Sequence, residues 1–141
     1  MHKKGGNMDI KKELLKQANI AKNNAYAPYS KYFVGAAICS EKNNIYFSCN
    51  VENISYPCGT CAEAGAISSM IANGDKKIKA ILITSSGSDL VYPCGACLQR
   101  IREFSDAKTT IYLASNDKIL KTYKLIDLLP HQFNAKELFN D

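Results

Sequence analysis

Two Cys-x-x-Cys pairs, Cys58/Cys61 and Cys94/Cys97, lie far apart along this chain and restrict its fold more than any other feature. If one metal ion takes thiolates from both pairs, the two segments that carry them must begin side by side. Each pair leads into a run with helical apolar spacing, so the ion would sit between two helix starts. Helix N-termini expose unpaired N–H groups and a partial positive charge, which favour thiolate over thiol. Glu63 follows Cys61 by two residues, in the first helical turn. From there a carboxylate can face the ion without ligating it.

Two metal arrangements fit this spacing. Cys61, Cys94 and Cys97 alone leave a fourth tetrahedral position open for water, as in a catalytic site. With Cys58 added, four thiolates close the site and make it structural. Residues 62–93 between the pairs exceed the roughly 15–20 of a zinc ribbon, and a ribbon has no use for Glu63 or for Asn50-Val-Glu52. A thioredoxin-like dithiol fits less well, because two motifs opening two different helices suit one metal better. Cys39 and Cys49 fall in apolar runs and read as small buried hydrophobes.

With 141 residues, 46% of them apolar and 22% charged, the chain is large enough for one domain with a real core. No apolar run approaches the roughly 20 residues needed to span a bilayer. Met1–Asn7 is basic and Gly-rich without an apolar stretch, so it does not resemble a secretion signal. We read 1–8 as a disordered tail, or as residues before an alternative start at Met8, and 9–141 as a single domain. Six cysteines without an export signal fit metal or buried thiols in a reducing cytoplasm rather than a disulfide framework. The net charge of +5 comes mainly from scattered lysines on exposed faces. No Arg/aromatic cluster points to nucleic acid, so neither it nor a membrane is an expected partner.

Apolar spacing predicts a helix over 9–24, ended by Tyr-Ala-Pro28, because proline disfavours helix in the residue before it. Runs at 33–39 and 45–50 predict a hairpin turning at 41–44. A helix over 61–73 stops at Asn73-Gly74, and 78–84 is largely apolar, as in a buried central strand. A helix over 95–104, strands at 109–114 and 119–123, and helical turns at 125–129 and 135–139 complete the chain. The order implies an α/β fold of three α-β-α layers, with a mixed sheet of about five strands.

Five fragments, in order and at compatible spacing, carry a resemblance. They are Ala27-Pro-Tyr-Ser-Lys-Tyr-Phe-Val-Gly-Ala-Ala37, Asn50-Val-Glu-Asn53, Cys61-Ala-Glu63, Pro93-Cys-Gly-Ala-Cys97 with Gln99, and Leu128-Leu-Pro-His-Gln-Phe133. Cys-Ala-Glu followed by Pro-Cys-x-x-Cys is a thiolate form of an established zinc-deaminase signature. The chain resembles the small homotetrameric cytidine deaminases of the three-cysteine type. The resemblance implies a cytidine-deaminase-like fold and one Zn2+ per chain, held by Cys61, Cys94 and Cys97, with Glu63 as proton shuttle. It also implies that Asn50 and Glu52 bind the ribose hydroxyls of a pyrimidine nucleoside. Tyr32, where relatives usually carry Phe, would pack on the pyrimidine, and Phe133 would reach the site of a neighbouring subunit. Ala62 and Tyr56 complete the implied substrate contacts. Without the resemblance, Asn50 and Glu52 read equally well as strand-end polar residues, and Tyr32 and Phe133 as core aromatics.

Hydrolysis of cytidine and deoxycytidine to uridine and deoxyuridine, in cytoplasmic pyrimidine salvage, is the implied activity. The same scaffold also serves deaminases of blasticidin-type antibiotics, modified nucleosides and RNA. Two departures bear on the metal. Many three-cysteine relatives carry Arg directly after the glutamate and after the last cysteine, where this chain has Ala64 and Leu98. Three thiolates around a dication leave a formal charge of −1, so helix dipoles, backbone N–H groups or another cation must balance it. Arg100 and Arg102 are the nearest cations in sequence. With no arginine on the thiolates, the zinc would be more electron-rich and less acidifying than in those relatives.

Overall fold

The computed structural model describes residues 9–116 and 118–134. Asp9 opens α1 (Ile10–Asn23) by accepting the Lys12 N–H on its side chain at 3.3 Å, the usual role of an aspartate N-cap. β1 (Val34–Ser40) and β2 (Ile45–Cys49) pair antiparallel around a tight turn, in which Asn43 takes the left-handed conformation at φ 63°. After a 3-10 turn at Tyr56–Cys58 come α2 (Ala62–Ala72), β3 (Ile78–Ser85) and α3 (Gly95–Glu103). β4 (Thr110–Ser115), β5 (Lys118–Lys124) and the short α4 (Leu125–Leu128) follow. Most boundaries lie within a residue or two of those predicted, as expected at frayed ends. The turn predicted over 135–139 and the tail over 1–8 lie outside the described residues.

Five strands form one mixed sheet in the order β2-β1-β3-β4-β5, with only β3 and β4 parallel. Apart from the exposed Lys79, β3 is buried on both faces, which explains its largely apolar sequence. Its alternate residues serve two cores: Ile81 and Ile83 pack with Ile67, Met70 and Ile101 of α2 and α3, while Ala80 and Leu82 pack with Leu14 and Ala18 of α1. Helices therefore cover both faces, and the three expected layers are present. Among the described residues, no helix is long and apolar enough to cross a membrane.

Two close approaches fix the helices on the sheet. A Cβ at Gly35 would lie 2.0 Å from the carbonyl oxygen of Ala18, so α1 rests directly on the β1 backbone. A Cβ at Gly65 would lie 2.2 Å from Ser48 Oγ, which seats α2 equally closely on β2. Because β1 is antiparallel to both β2 and β3, those two strands end at the same sheet edge where β1 begins. Each then leads into a helix. This topology is what brings the starts of α2 and α3 together.

A buried carboxylate ties the opposite edge. Asp75 Oδ2 accepts from Ser40 Oγ at 2.7 Å, Tyr46 Oη at 2.8 Å and Asn44 Nδ2 at 2.9 Å, and Lys42 stands 3.5 Å from Oδ1. The Ser40 hydroxyl, then Asn44 and Tyr46, outweigh desolvation and hold this carboxyl at about 2, below its ordinary 3.8. The folded value lies below the unfolded one, so the stabilisation is complete above about pH 4 and is lost as pH falls through about 2. Asp75→Ala strands three donors and is expected to lower stability by about 3 kcal/mol at pH 7, measured by urea unfolding. The same experiment below pH 2 should show a much smaller difference.

Candidate metal centre and active site

Cys61 and Cys94 are the N-cap residues of α2 and α3, and neither side chain makes the capping hydrogen bond that serine or aspartate would make there. Their thiols are left free beside two helix N-termini. Cys97 lies in the first turn of α3 and is completely buried, whereas Cys61 and Cys94 are exposed. Burial pushes the Cys97 thiol strongly up, and so do the neighbouring Glu63 carboxylate, Cys61 and Cys94. Four acidic groups thus converge from two helices.

Glu63 is only 6% exposed, yet among the described residues its carboxylate has neither a hydrogen bond nor an ion pair. A buried carboxylate without a partner is costly, and native proteins keep one mainly where a ligand or reaction uses it. The donor set of three soft thiols and one hard carboxylate suits zinc. Among the described residues, no three His, Cys, Asp or Glu side chains already stand at metal-holding geometry.

The sequence matches the family described as the cytidine and deoxycytidylate deaminase zinc-binding region over residues 8–114. The chain belongs to that family. The matched span includes all three cysteines and Glu63, and zinc is the metal of that region. The chain is 36% identical over 131 residues to a cytidine deaminase of Sporosarcina psychrophila, covering 93% of this chain and 96% of that one. A cytidine deaminase of Mycoplasma genitalium is 35% identical, covering 85% and 92%. Crystal structures of cytidine deaminases from Burkholderia pseudomallei (TM-score 0.81, 34% identity, 86% of this chain and 98% of that) and Mycobacterium tuberculosis (0.78, 30%, 91% and 99%) share the fold.

In this member of the deaminase family, Cys58 stands apart from the other thiols. It is exposed, its Sγ pairs with Ser55 Oγ at 3.5 Å, and it is not among the groups that perturb Cys97. Cys58→Ser is expected to leave zinc content and turnover within about twofold of wild type, because an exposed side chain outside such a network contributes little. Metal analysis of the purified variant checks this directly.

Glu52 Oε1 accepts the backbone N–H groups of Tyr29 at 3.0 Å and Ser30 at 3.1 Å. The Ser30 side chain and then the Ser30 N–H hold this carboxyl below its ordinary range. Glu52 faces a cavity of about 380 Å3 lined also by Tyr29, Ser30, Asn53, Tyr56 and Gly59. None of the three cysteines nor Glu63 lines it. The two regions are joined instead by the Val51–Thr60 bridge, since Thr60 immediately precedes Cys61.

Asn50 is more committed than its sequence context suggested. Its Oδ1 accepts the Val34 N–H and its Nδ2 donates to the Tyr32 carbonyl, both at 2.9 Å, which fixes the entry into β1. One amide N–H and one lone pair remain. Tyr32 (40% exposed) and Phe133 (57%) are not core aromatics. A Cβ on Gly87 would lie 3.3 Å from the Tyr32 ring, so that ring flanks the segment leading to Cys94. Phe133 is held beside α3, where its carbonyl accepts from Gln99 Nε2 at 3.1 Å. Tyr56 is exposed and packs edge-on against Tyr29 with centroids 6.3 Å apart, and Ala62 is buried at the start of α2.

One contributor was not singled out from sequence, and another was named there without a place in space. The Tyr29 and Ser30 amides that anchor Glu52 depend on a turn with no sequence-local link to residue 52. Arg100 donates from Nη1 to Cys97 Sγ at 3.6 Å, whereas Arg102 turns to Gln132 and the Ser105 carbonyl. The Cys97-x-x-Arg100 spacing, one helical turn, was the available signal. One of the three thiols therefore has an arginine donor.

Proposed function

We propose that this chain is a zinc-dependent cytidine deaminase, converting cytidine and deoxycytidine with water to uridine and deoxyuridine and releasing ammonia. The buried, unpartnered Glu63 carboxylate beside three thiols at two helix starts is the observation that carries this reading. Cys61, Cys94 and Cys97 hold the zinc, which supplies a water acidic enough to act as nucleophile near neutral pH. Glu63 takes a proton from the water that adds to C4 of the cytosine ring and gives it to N3. It then takes the proton of the hydroxyl added at C4, as that oxygen becomes the uridine carbonyl, and gives it to the departing amine, which leaves as ammonia. Burial keeps Glu63 out of bulk water, so its protons go to the substrate.

Glu52, already oriented by two backbone donors, accepts from a ribose hydroxyl, and Asn50 uses its remaining N–H and lone pair on the same sugar. Tyr32 packs on the pyrimidine, with Ala62 and Tyr56 completing the contacts. Exposed Tyr26, Tyr29, Val51, Ile54 and Tyr56 form an apolar surface around the Glu52 cavity, of the kind that self-association covers. In the homotetramer we propose, Phe133 from a neighbouring subunit closes the site. The cellular role is pyrimidine salvage in the cytoplasm.

Comparing cytidine, deoxycytidine and free cytosine by loss of the cytosine absorbance tests this reading. Both nucleosides should be turned over with kcat/KM at least about tenfold above that of the free base, the effect of one or two lost hydrogen bonds. Equal turnover of cytosine would overturn the ribose assignment.

A further inference from the structure

We propose that Arg100 is the positioning residue for the most deeply buried zinc ligand, acting as a fixed cation on the outer side of Cys97. The inference rests on the reading of Cys61, Cys94 and Cys97 as ligands. Cys61 and Cys94 sit exposed at helix N-caps, where water and backbone N–H groups can offset the charge of a thiolate. Cys97 is sealed from solvent, so its compensation must come from the protein. The one side-chain donor to its sulfur, among the described residues, is Arg100 Nη1 at 3.6 Å.

Three further observations support this assignment. The spacing from residue 97 to 100 is one turn of α3, so the contact holds without distorting the helix. The groove between α2 and α3 is lined by Arg100 together with Ala64, Ser68, Gln99 and Glu103, so the side chain lies along the seam between the two helices that carry the cysteines. Among the described residues, Arg100 has no carboxylate ion pair that would divert its charge. Arg102, two residues on, is spent on Gln132 and the Ser105 carbonyl. One permanent cation on the sulfur brings the formal charge of three thiolates and a dication from −1 to 0. Hydrogen-bonded partners of this kind orient the ligand and set metal affinity.

Chelator competition on the zinc-loaded protein measures the effect without reference to turnover. Arg100→Ala is expected to weaken zinc binding by about 10- to 100-fold, the usual loss for such a partner. Arg100→Lys, which keeps the charge but not the planar fork, should recover part of that affinity. Thermal unfolding of the metal-free variants should match metal-free wild type, because the side chain is exposed and its contact is with a ligand. Arg102→Ala serves as the charge control and should leave zinc affinity unchanged. A zinc affinity for Arg100→Ala within twofold of wild type would overturn the proposal, as would an equal loss in Arg102→Ala. If the wild-type chain itself binds no zinc, the three-thiol reading fails, and that result is distinct from either.

Discussion

Glu63→Gln is expected to abolish nearly all turnover while leaving zinc in place. The glutamine matches the glutamate in shape, so packing at the start of α2 should hold, but the amide cannot accept and return a proton at the working pH. Positioned acid–base groups contribute about 10²- to 10⁴-fold. Glu63 makes four proton movements in the proposed cycle, so the fall in kcat should lie near the upper end of that range. KM for cytidine should change little, since the sugar contacts at Asn50 and Glu52 are untouched. Stability should stay the same or rise, because a buried charge without a partner is replaced by a neutral group. A variant with substantial residual turnover would remove Glu63 from the proton path.

Cys94→Ala is expected to act on the metal first and on activity only as a consequence. Its thiol makes no capping bond in α3, so the metal-free fold should lose almost nothing. With zinc the contrast should be large. Affinity should drop by more than about a hundredfold, beyond what an outer-shell partner costs. Wild-type protein in zinc at a thousand times its dissociation constant gains about 4 kcal/mol of stability. The variant should lose most of that increment at the same zinc concentration. Thermal unfolding with and without zinc, together with metal content after dialysis, measures both effects. Full zinc occupancy in Cys94→Ala would exclude it from the ligand set.

Much of this arrangement was legible in the residues alone. The apolar run at 78–84 identified the central strand, and the paired cysteines placed two helix starts together before any topology was known. What spacing could not give was the use to which each polar group is put. Asn50 read equally well as a sugar ligand or as a strand-end polar residue, and the fold uses half of its amide to pin Val34 and Tyr32 at the start of β1. Asp75 follows Asn73-Gly74 and reads as part of a helix stop, but it gathers three donors from the hairpin of β1 and β2. Both are long-range pairings, set by how the sheet edge folds rather than by neighbouring sequence. Arg100 is the intermediate case: the helical period brings it near Cys97, while Arg102, two residues on, turns to Gln132 and the Ser105 carbonyl.

The fold also explains why the chemistry lies at this edge. Seating α1 on Gly35 and α2 on Gly65 fixes both helices close to the sheet, so the ends of β2 and β3 deliver Cys61 and Cys94 at similar depth. Glu63 then faces the thiols from within the first turn of α2, while Glu52 is anchored across the Val51–Thr60 bridge. The proposed sugar-binding and proton-transfer carboxylates are thereby held by one short stretch of chain.

The central claim is that three cysteines leave zinc an open position served by Glu63. Ammonia release from cytidine, measured on protein carrying one zinc per chain, tests it most directly. The account predicts saturable turnover, with uridine and ammonia formed in equal amounts. One zinc per chain with no ammonia from cytidine would contradict it.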